Sequence, residues 1–339
     1  MKRKAVASVI GLGASLGLAL MSTPAQAASV AADPAPSPSP SSNVSKTSIS
    51  PAKQAAARSY WTADRLRNAK PGDSLVRGKS LADVTGKVAV GKPSTKSGTS
   101  GKSTLGLPNL AAFGGGYYTG GGNVVKTTGK VFFTLGGSNY VCSGSSVVSG
   151  NKSVVQTAGH CVNEGPGAFA TNFVFVPQYD DGAAPYGQFA ARQLVTTSQW
   201  SGSGDLNYDA AFAVVSPVGG VSLTDKVGGQ GVAFNQARLQ NMYSFGYPAA
   251  APYDGTDIAW CHGDVVADSQ GSSDQGMVCN MTGGSSGGPW FLNYNEGTGI
   301  GTLNSLNSFK YTSPLLSDKM YGPYFGSVIQ AAYNSAQGL

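Results

Sequence analysis

The 339-residue sequence predicts an all-β domain of barrel or sandwich type, preceded by a basic N-terminal extension. Two observations carry this. From about residue 113 onward, short runs rich in Val, Phe, Tyr and Thr alternate with Gly, Asn, Ser and Pro, the texture of many short strands joined by turns. Before that point the chain is rich first in Ala, Pro and Ser and then in Gly, Ser and Lys, which cannot build a core. Charge divides at nearly the same place. Residues 1–105 hold 15 Lys/Arg and 4 Asp, net +11, and the remainder holds 8 Lys/Arg and 13 Asp/Glu, net −5. The overall +6 is the sum of two opposite regions, so it does not signal nucleic-acid binding.

In chain order, Met1-Lys2-Arg3-Lys4, the uncharged apolar run Ala5–Met21 and Ala25-Gln26-Ala27 read as a secretory signal peptide spanning 1–27. The run is short for a membrane anchor and ends in Ser-Thr-Pro, so a secreted, extracellular product is expected. Residues 28 to about 48, with Pro34, Pro36, Pro38 and Pro40, are expected to be disordered or extended. Ser50-Pro51 reads as an N-cap with proline at the first helical position. One helix is expected near 51–69, with Tyr60, Trp61 and Leu66 as its apolar content, stopped by Lys70-Pro71-Gly72. Residues 71–112 are polar and unpatterned. The stretch 28–105 is expected to be a pro-segment that docks on the acidic domain and inhibits it.

Strands are expected at Lys130–Leu135, Tyr140–Val148, Ser153–Thr157, Phe173–Pro177, Gly187–Thr196 and Asp209–Val215. Further strands are expected at Met242–Gly246, Met277–Asn280, Pro289–Leu292 and Ile300–Leu303. Near the C-terminus, Phe325, Val328, Ile329, Ala332 and Tyr333 have helical spacing.

The chemistry centres on Thr282-Gly283-Gly284-Ser285-Ser286-Gly287-Gly288-Pro289-Trp290. Glycines cost backbone entropy, and such a run stays ordered only where unusual dihedrals or a close approach are needed. A nucleophilic serine needs both, with N–H groups aimed at a developing oxyanion. A flexible linker would not be framed by Met-Val-Cys and Pro-Trp-Phe-Leu. Upstream, Val154-Val155-Gln156-Thr157-Ala158-Gly159-His160-Cys161 reads as a buried strand ending in a turn that presents an imidazole, the usual general base. The chain has only two histidines.

Thr-Ala-Gly-His-Cys resembles the histidine motif of trypsin-like (chymotrypsin-fold) serine peptidases, and Gly-x-Ser-Gly-Gly-Pro resembles their serine motif. The resemblance covers roughly residues 113–335 and is closest to the secreted bacterial branch that includes glutamyl endopeptidases. It implies two six-stranded antiparallel β-barrels, about 113–218 and 219–339 within a domain of 106–339, with the site between them and a short C-terminal helix. His160 and Asp209 would sit on the first barrel and Ser286 on the second. Asp209, at the mouth of the apolar run Ala210–Val215, fits the third triad position; Asp205, in a Gly/Ser loop, is the rival and reads as solvated. Gly284 and Ser286 would supply the oxyanion hole. Gly284-Ser285-Ser286-Gly287-Gly288 also satisfies the α/β-hydrolase elbow, but that fold needs a histidine after the serine and none follows.

An even cysteine count behind a signal peptide argues for disulfides, with three possible pairings. The resemblance implies Cys142–Cys161, which leaves Cys261–Cys279. The adjacent Cys261-His262 raises a metal site, yet zinc-type spacing is absent, and His262 reads as a surface-loop residue. No metal or cofactor is expected. By the same resemblance, Asn280, Met281 and Thr282 would form the base of the substrate pocket, with Asn304 and Asn307 in its wall. No acid stands there to receive Lys or Arg, and no histidine follows the serine as in glutamyl endopeptidases. Ser285 replaces the aspartate that pairs with a new N-terminus in digestive members, so activation by loss of the pro-segment is expected. The reading is a monomeric secreted endopeptidase acting on proteins or peptides. The alternatives are an esterase with the same triad and a non-catalytic binding protein on this fold.

Overall fold

The computed structural model describes residues 43–77, 87–99 and 113–339. The signal peptide, the proline-rich stretch to residue 42 and residues 100–112 lie outside the described residues. The described N-terminal part holds strand β1 (Val44–Ser48), helices α1 (Pro51–Tyr60) and α2 (Ala63–Arg67), the two-residue strand β2 (Lys70–Pro71), a 3₁₀ turn at Gly72–Leu75 and strand β3 (Ser94–Lys96). Next comes β4 (Phe113–Tyr117).

The first half is a ring of β5 (Thr128–Leu135), β6 (Ser138–Val147), β7 (Val154–Thr157), β8 (Thr171–Pro177), β9 (Phe189–Thr197) and β10 (Ala211–Val215). Pairing runs β8-β5-β6-β7-β10-β9 and closes through β8–β9, all antiparallel. Closure removes the sheet edges, and the inward side chains fill the interior. Phe133, Val155, Phe175 and Leu194 are fully buried there.

The second half contains β11 (Gly231–Phe234), β12 (Asn241–Gly246), β13 (Ala259–Asp264), β14 (Val266–Ala267), β15 (Gln275–Val278), β16 (Pro289–Asn295), β17 (Ile300–Leu306) and β18 (Lys319–Gly322). Its main sheet has seven strands in the order β3-β11-β17-β16-β12-β13-β4, with β14-β15-β18 as a smaller sheet. The expected six-stranded ring is therefore an open sheet here. Its β11–β17 contact is a two-residue parallel pairing, and the outer places are taken by β3 and β4 from the earlier part of the chain. Phe113, placed by sequence at the start of the first barrel, thus belongs to the second sheet. The C-terminal helix (Ser327–Gln337) buries Val328, Ile329, Ala332 and Tyr333. The Tyr333 hydroxyl donates to Val148 O (2.6 Å), tying the end of the chain to the first barrel.

Three N-terminal expectations differ from the structure. Val44–Ser48, expected to be disordered, pairs with β9 from Val44↔Thr197 to Ser48↔Gln193. Its sequence has little apolar content, and the decisive factor is β9, which pairs with β8 at Phe189 and Ala190 and leaves its later residues open to a partner on that side. The single expected helix is two. Trp61 leaves the helical path to pack at a tilt against Phe132 (5.4 Å between ring centroids) and donate Nε1–H to Asn172 O (2.6 Å), and Thr62 then caps α2. The polar stretch after residue 71 is not featureless: Gly72–Leu75 is a 3₁₀ turn, Asp73, Val76 and Arg77 line the cleft between the two halves, and Ser94–Lys96 is strand β3.

Candidate active site

His160 follows β7 on a short 3₁₀ turn, Gly159–Cys161. Residue 159 must be glycine for a steric reason. A Cβ there would stand 2.8 Å from Trp200 Cγ and 2.9 Å from Asp209 Oδ1. Without it, the Asp209 carboxylate reaches both the backbone and the ring of the next residue. Asp209 Oδ1 accepts from His160 N (2.8 Å), and Oδ2 lies 2.8 Å from His160 Nδ1. Ser308 Oγ donates to the same Oδ2 (2.5 Å). His160 and Asp209 are buried. Burial alone would raise the Asp209 carboxyl. The charge of a protonated His160 and the hydrogen bonds from His160 and Ser308 outweigh it and hold the group below its ordinary value. His160 Nε2, on the side of the ring away from Asp209, is buried with no hydrogen-bond partner among the described residues, so no bond yet joins it to Ser286 Oγ.

Ser286 stands on the loop before β16 and is fixed through its backbone. Its carbonyl accepts from Ser143 N (2.7 Å), and the Ser143 hydroxyl donates to Gly284 O (2.9 Å). Gly284 has φ +96°, a conformation that costs a side-chain-bearing residue heavily. Among the described residues the N–H groups of Gly284 and Ser286 donate to nothing, as an oxyanion site requires. Ser285 turns inward, and its hydroxyl donates to Thr282 O (2.8 Å). The position that holds an acid in digestive members is therefore satisfied locally.

The cleft beside Ser286 encloses about 480 Å³ and is walled by Met281, Thr282, Ser308, Phe309, Lys310 and Tyr311 from the second half. Met281 and Thr282 line this cleft. Asn280 does not line this cleft; it accepts from the Tyr253 hydroxyl (2.5 Å) and donates to Gly115 O. Asn304 and Asn307 point into the protein. Asn304 donates to Ala233 O (2.9 Å). Asn307 accepts from Ser244 Oγ (2.8 Å) and Trp290 Nε1 (2.7 Å) and donates to Phe245 O and Ser285 O (3.1 Å each). It braces the serine loop from behind, and the wall comes from the residues just after it. Sequence reasoning missed Ser308, whose only signal is a small hydroxyl at the end of an apolar strand.

Two other assignments are corrected. Asp205 is fully buried, and its carboxylate accepts from Asn207 N (3.0 Å), capping the turn that leads into Asp209. His262 lies on β13, buried, with its ring 4.1 Å from that of Tyr243 and Nε2 2.9 Å from Asn241 Oδ1. Cys142 is joined to Cys161 and Cys261 to Cys279. The first bridge ties β6 to the turn bearing His160, and both pairs of sulfurs are consumed, so neither histidine has a thiolate neighbour with which to hold a metal.

No protein-family model matches the chain, and no curated protein matches it. Solved structures do. The protease Anisep from Arthrobacter nicotinovorans is 54% identical, with TM-score 0.60, over 63% of this chain and 97% of that one. The thermostable serine protease AL20 from an extremophilic microorganism is 47% identical, with TM-score 0.60, over 64% of this chain and 99% of that one. A Glu endopeptidase shares the fold at 15% identity and TM-score 0.51, over 68% and 98%. With a closed β-barrel facing a second sheet across a histidine–aspartate pair and a glycine-framed serine, the chain belongs to the trypsin-like (chymotrypsin-fold) serine peptidases, beside Anisep and AL20.

Proposed function

We propose that the chain is a secreted serine endopeptidase that cleaves peptide bonds through His160, Asp209 and Ser286 by way of an acyl-enzyme. The observation that carries this reading is the buried Asp209, bonded to both the backbone and Nδ1 of His160, facing a serine whose neighbouring N–H groups are unused. His160 Nε2 takes the Ser286 proton as Oγ attacks the substrate carbonyl, and Asp209 stabilises the imidazolium. The Gly284 and Ser286 N–H groups hold the oxyanion. His160 then protonates the leaving nitrogen, and water repeats the sequence on the ester. Among the second-half residues that wall the cleft the charged one is Lys310, a cation, which supports no preference for Lys or Arg. Two disulfides suit an oxidising compartment, which supports secretion.

The test is fluorophosphonate labelling with peptide mapping on processed protein, beside a casein digest, for the wild type and Ser286→Ala. Labelling at Ser286 with casein cleavage, both lost in the variant, is expected. Labelling without casein cleavage would favour an esterase, and absence of labelling would favour a binding protein.

A further inference from the structure

The cleft is not empty in this structure. Residues 70–77 pass through it, and they pass in the direction opposite to a substrate. We infer that this segment is a built-in inhibitor whose reversed path protects it from the triad that it covers. The inference rests on reading the cleft as a peptidase active site.

The direction of a substrate follows from the chemistry. His160 must protonate the leaving nitrogen, so the C-terminal half of a substrate lies on the His160 side, where the Cys142–Cys161 bridge and β6 form the wall. The N-terminal, acyl half lies along Ser308–Tyr311. The segment does the reverse. Its earlier residues, Lys70 and Pro71, pair with Tyr140 and Val141 on β6, and they do so in parallel. Gly72 then packs against the disulfide, where a Cβ would lie 2.6 Å from Cys142 Sγ. The carboxylate of Asp73 lies against Gly283, the residue before the oxyanion donor Gly284, and a side chain at 283 would collide with it. Arg77 clamps that carboxylate (2.7 Å). The later residues reach the acyl side, where Val76 is buried in one cluster with Trp200, Leu206, Phe309 and Tyr321.

Two consequences follow. His160 and Ser286 are only 1% and 4% exposed with the segment in place, so a protein substrate cannot reach them. A carbonyl of the reversed segment that entered the oxyanion hole would put its nitrogen on the Ser308 side, out of reach of His160, so the bond would not be completed. The docking depends more on packing than on charge. Trp61 and Leu66 join the core of the first barrel, and Arg67–Asp181 (3.2 Å) is the ion pair between segment and domain among the described residues.

The experiment uses the full chain. A photo-crosslinking residue is placed at the exposed positions 70 and 77 in a Ser286→Ala background, and products are mapped by mass spectrometry. Position 70 is expected to join the Tyr140–Cys142 side and position 77 the Ser308–Thr312 side. In parallel, fluorophosphonate labelling is timed for the full chain, the chain stripped of its N-terminal segment, and full-length Gly72→Leu, whose side chain cannot fit beside Cys142. Stripped protein should label fastest, and Gly72→Leu should label roughly tenfold or more faster than the intact wild type, because its cleft is open a larger fraction of the time. Exchanged crosslink partners would overturn the direction. Crosslinks outside the cleft, or equal labelling of intact and stripped chains, would overturn the inhibition. If stripped protein also fails to label, the peptidase reading is what fails, and the crosslinks still decide whether the segment sits in the cleft.

Discussion

The two halves of the molecule hold their contributions to the site by different means. The first is a closed ring, and it presents His160 and Asp209 through side-chain hydrogen bonds between two buried groups. The second is an open sheet, and it presents Ser286 through backbone: a glycine at positive φ, a carbonyl held by Ser143, and an amide brace from Asn307. On the proposed mechanism, the difference follows from what each half must supply. A proton relay needs a charge held at fixed distance from an imidazole, and a rigid barrel wall provides that. An oxyanion needs donors aimed at one point, and here a loop with a glycine at positive φ leaves two backbone N–H groups free for it among the described residues.

If this division holds, the largest loss comes from the first half. Asp209→Asn leaves the shape intact but can hold the imidazole in the wrong tautomer, and kcat on a peptide substrate should fall by about 10⁴. A loss below about tenfold, in steady-state assays of processed enzyme, would show that Asp209 does not orient the base. In the second half, Gly284→Ala places a Cβ 2.8 Å from that of Ala249 and forces a side chain into φ +96°. It should lower kcat by about 10²–10³ with KM little changed, since the oxyanion forms only on the way to the intermediate.

The brace behind the serine gives a smaller effect. Asn307→Ala removes four buried hydrogen bonds, and urea melts should show a loss of about 2–4 kcal/mol. Asn304→Ala, which removes one hydrogen bond to Ala233 O, should lose about 1 kcal/mol. Equal losses would mean that Asn307 is no more than another buried amide.

The same contrast decides what was legible in the sequence. His160 and Ser286 could be read because their neighbours are locally constrained: Gly159 lets Asp209 through, and Gly284 takes a conformation that other residues avoid. Asp209 could be read because a buried strand follows it. The strands of the first barrel could be read from short apolar runs, and all six lie within a few residues of their expected positions, while their closure into a barrel was implied by the family resemblance. Residues whose role depends on a partner far along the chain were not legible. Ser308 meets Asp209 across 99 residues, and Asp205 and His262 are polar side chains buried by strands that no local pattern links to them. The segment 70–77 was the least legible of all, because its order comes from the cleft around it and its own composition is that of a loop.

The last prediction sets a buried cation in the first half against a buried acid in the second. Lys130 on β5 is buried with Nζ 4.2 Å from the Tyr179 ring centroid. Burial lowers its pKa from 10.5 to about 8, against the pull of Asp254 and Asp181. Between those two values the unfolded chain keeps the proton and the folded chain has lost it, so this residue's contribution to stability rises with pH across the window from 8 to 10.5. Below it, both states are charged and the folded state carries the whole cost of desolvation. Lys130→Met should therefore be more stable than wild type by about 1–3 kcal/mol at neutral pH, and the gain should shrink as pH rises through that window. Asp274 reverses the sign. Burial first, then Asp268, Asp209 and Asp205, raise it well above 3.8, and both its oxygens lack hydrogen-bond partners among the described residues. Its contribution is present at low pH and is lost as pH rises through the folded-state value, so Asp274→Asn should gain at neutral pH and lose that gain toward acid. Thermal melts of both variants from acid to pH 10.5 should give two difference curves of opposite slope. Flat curves would mean that water reaches both groups and that neither half holds a desolvated charge.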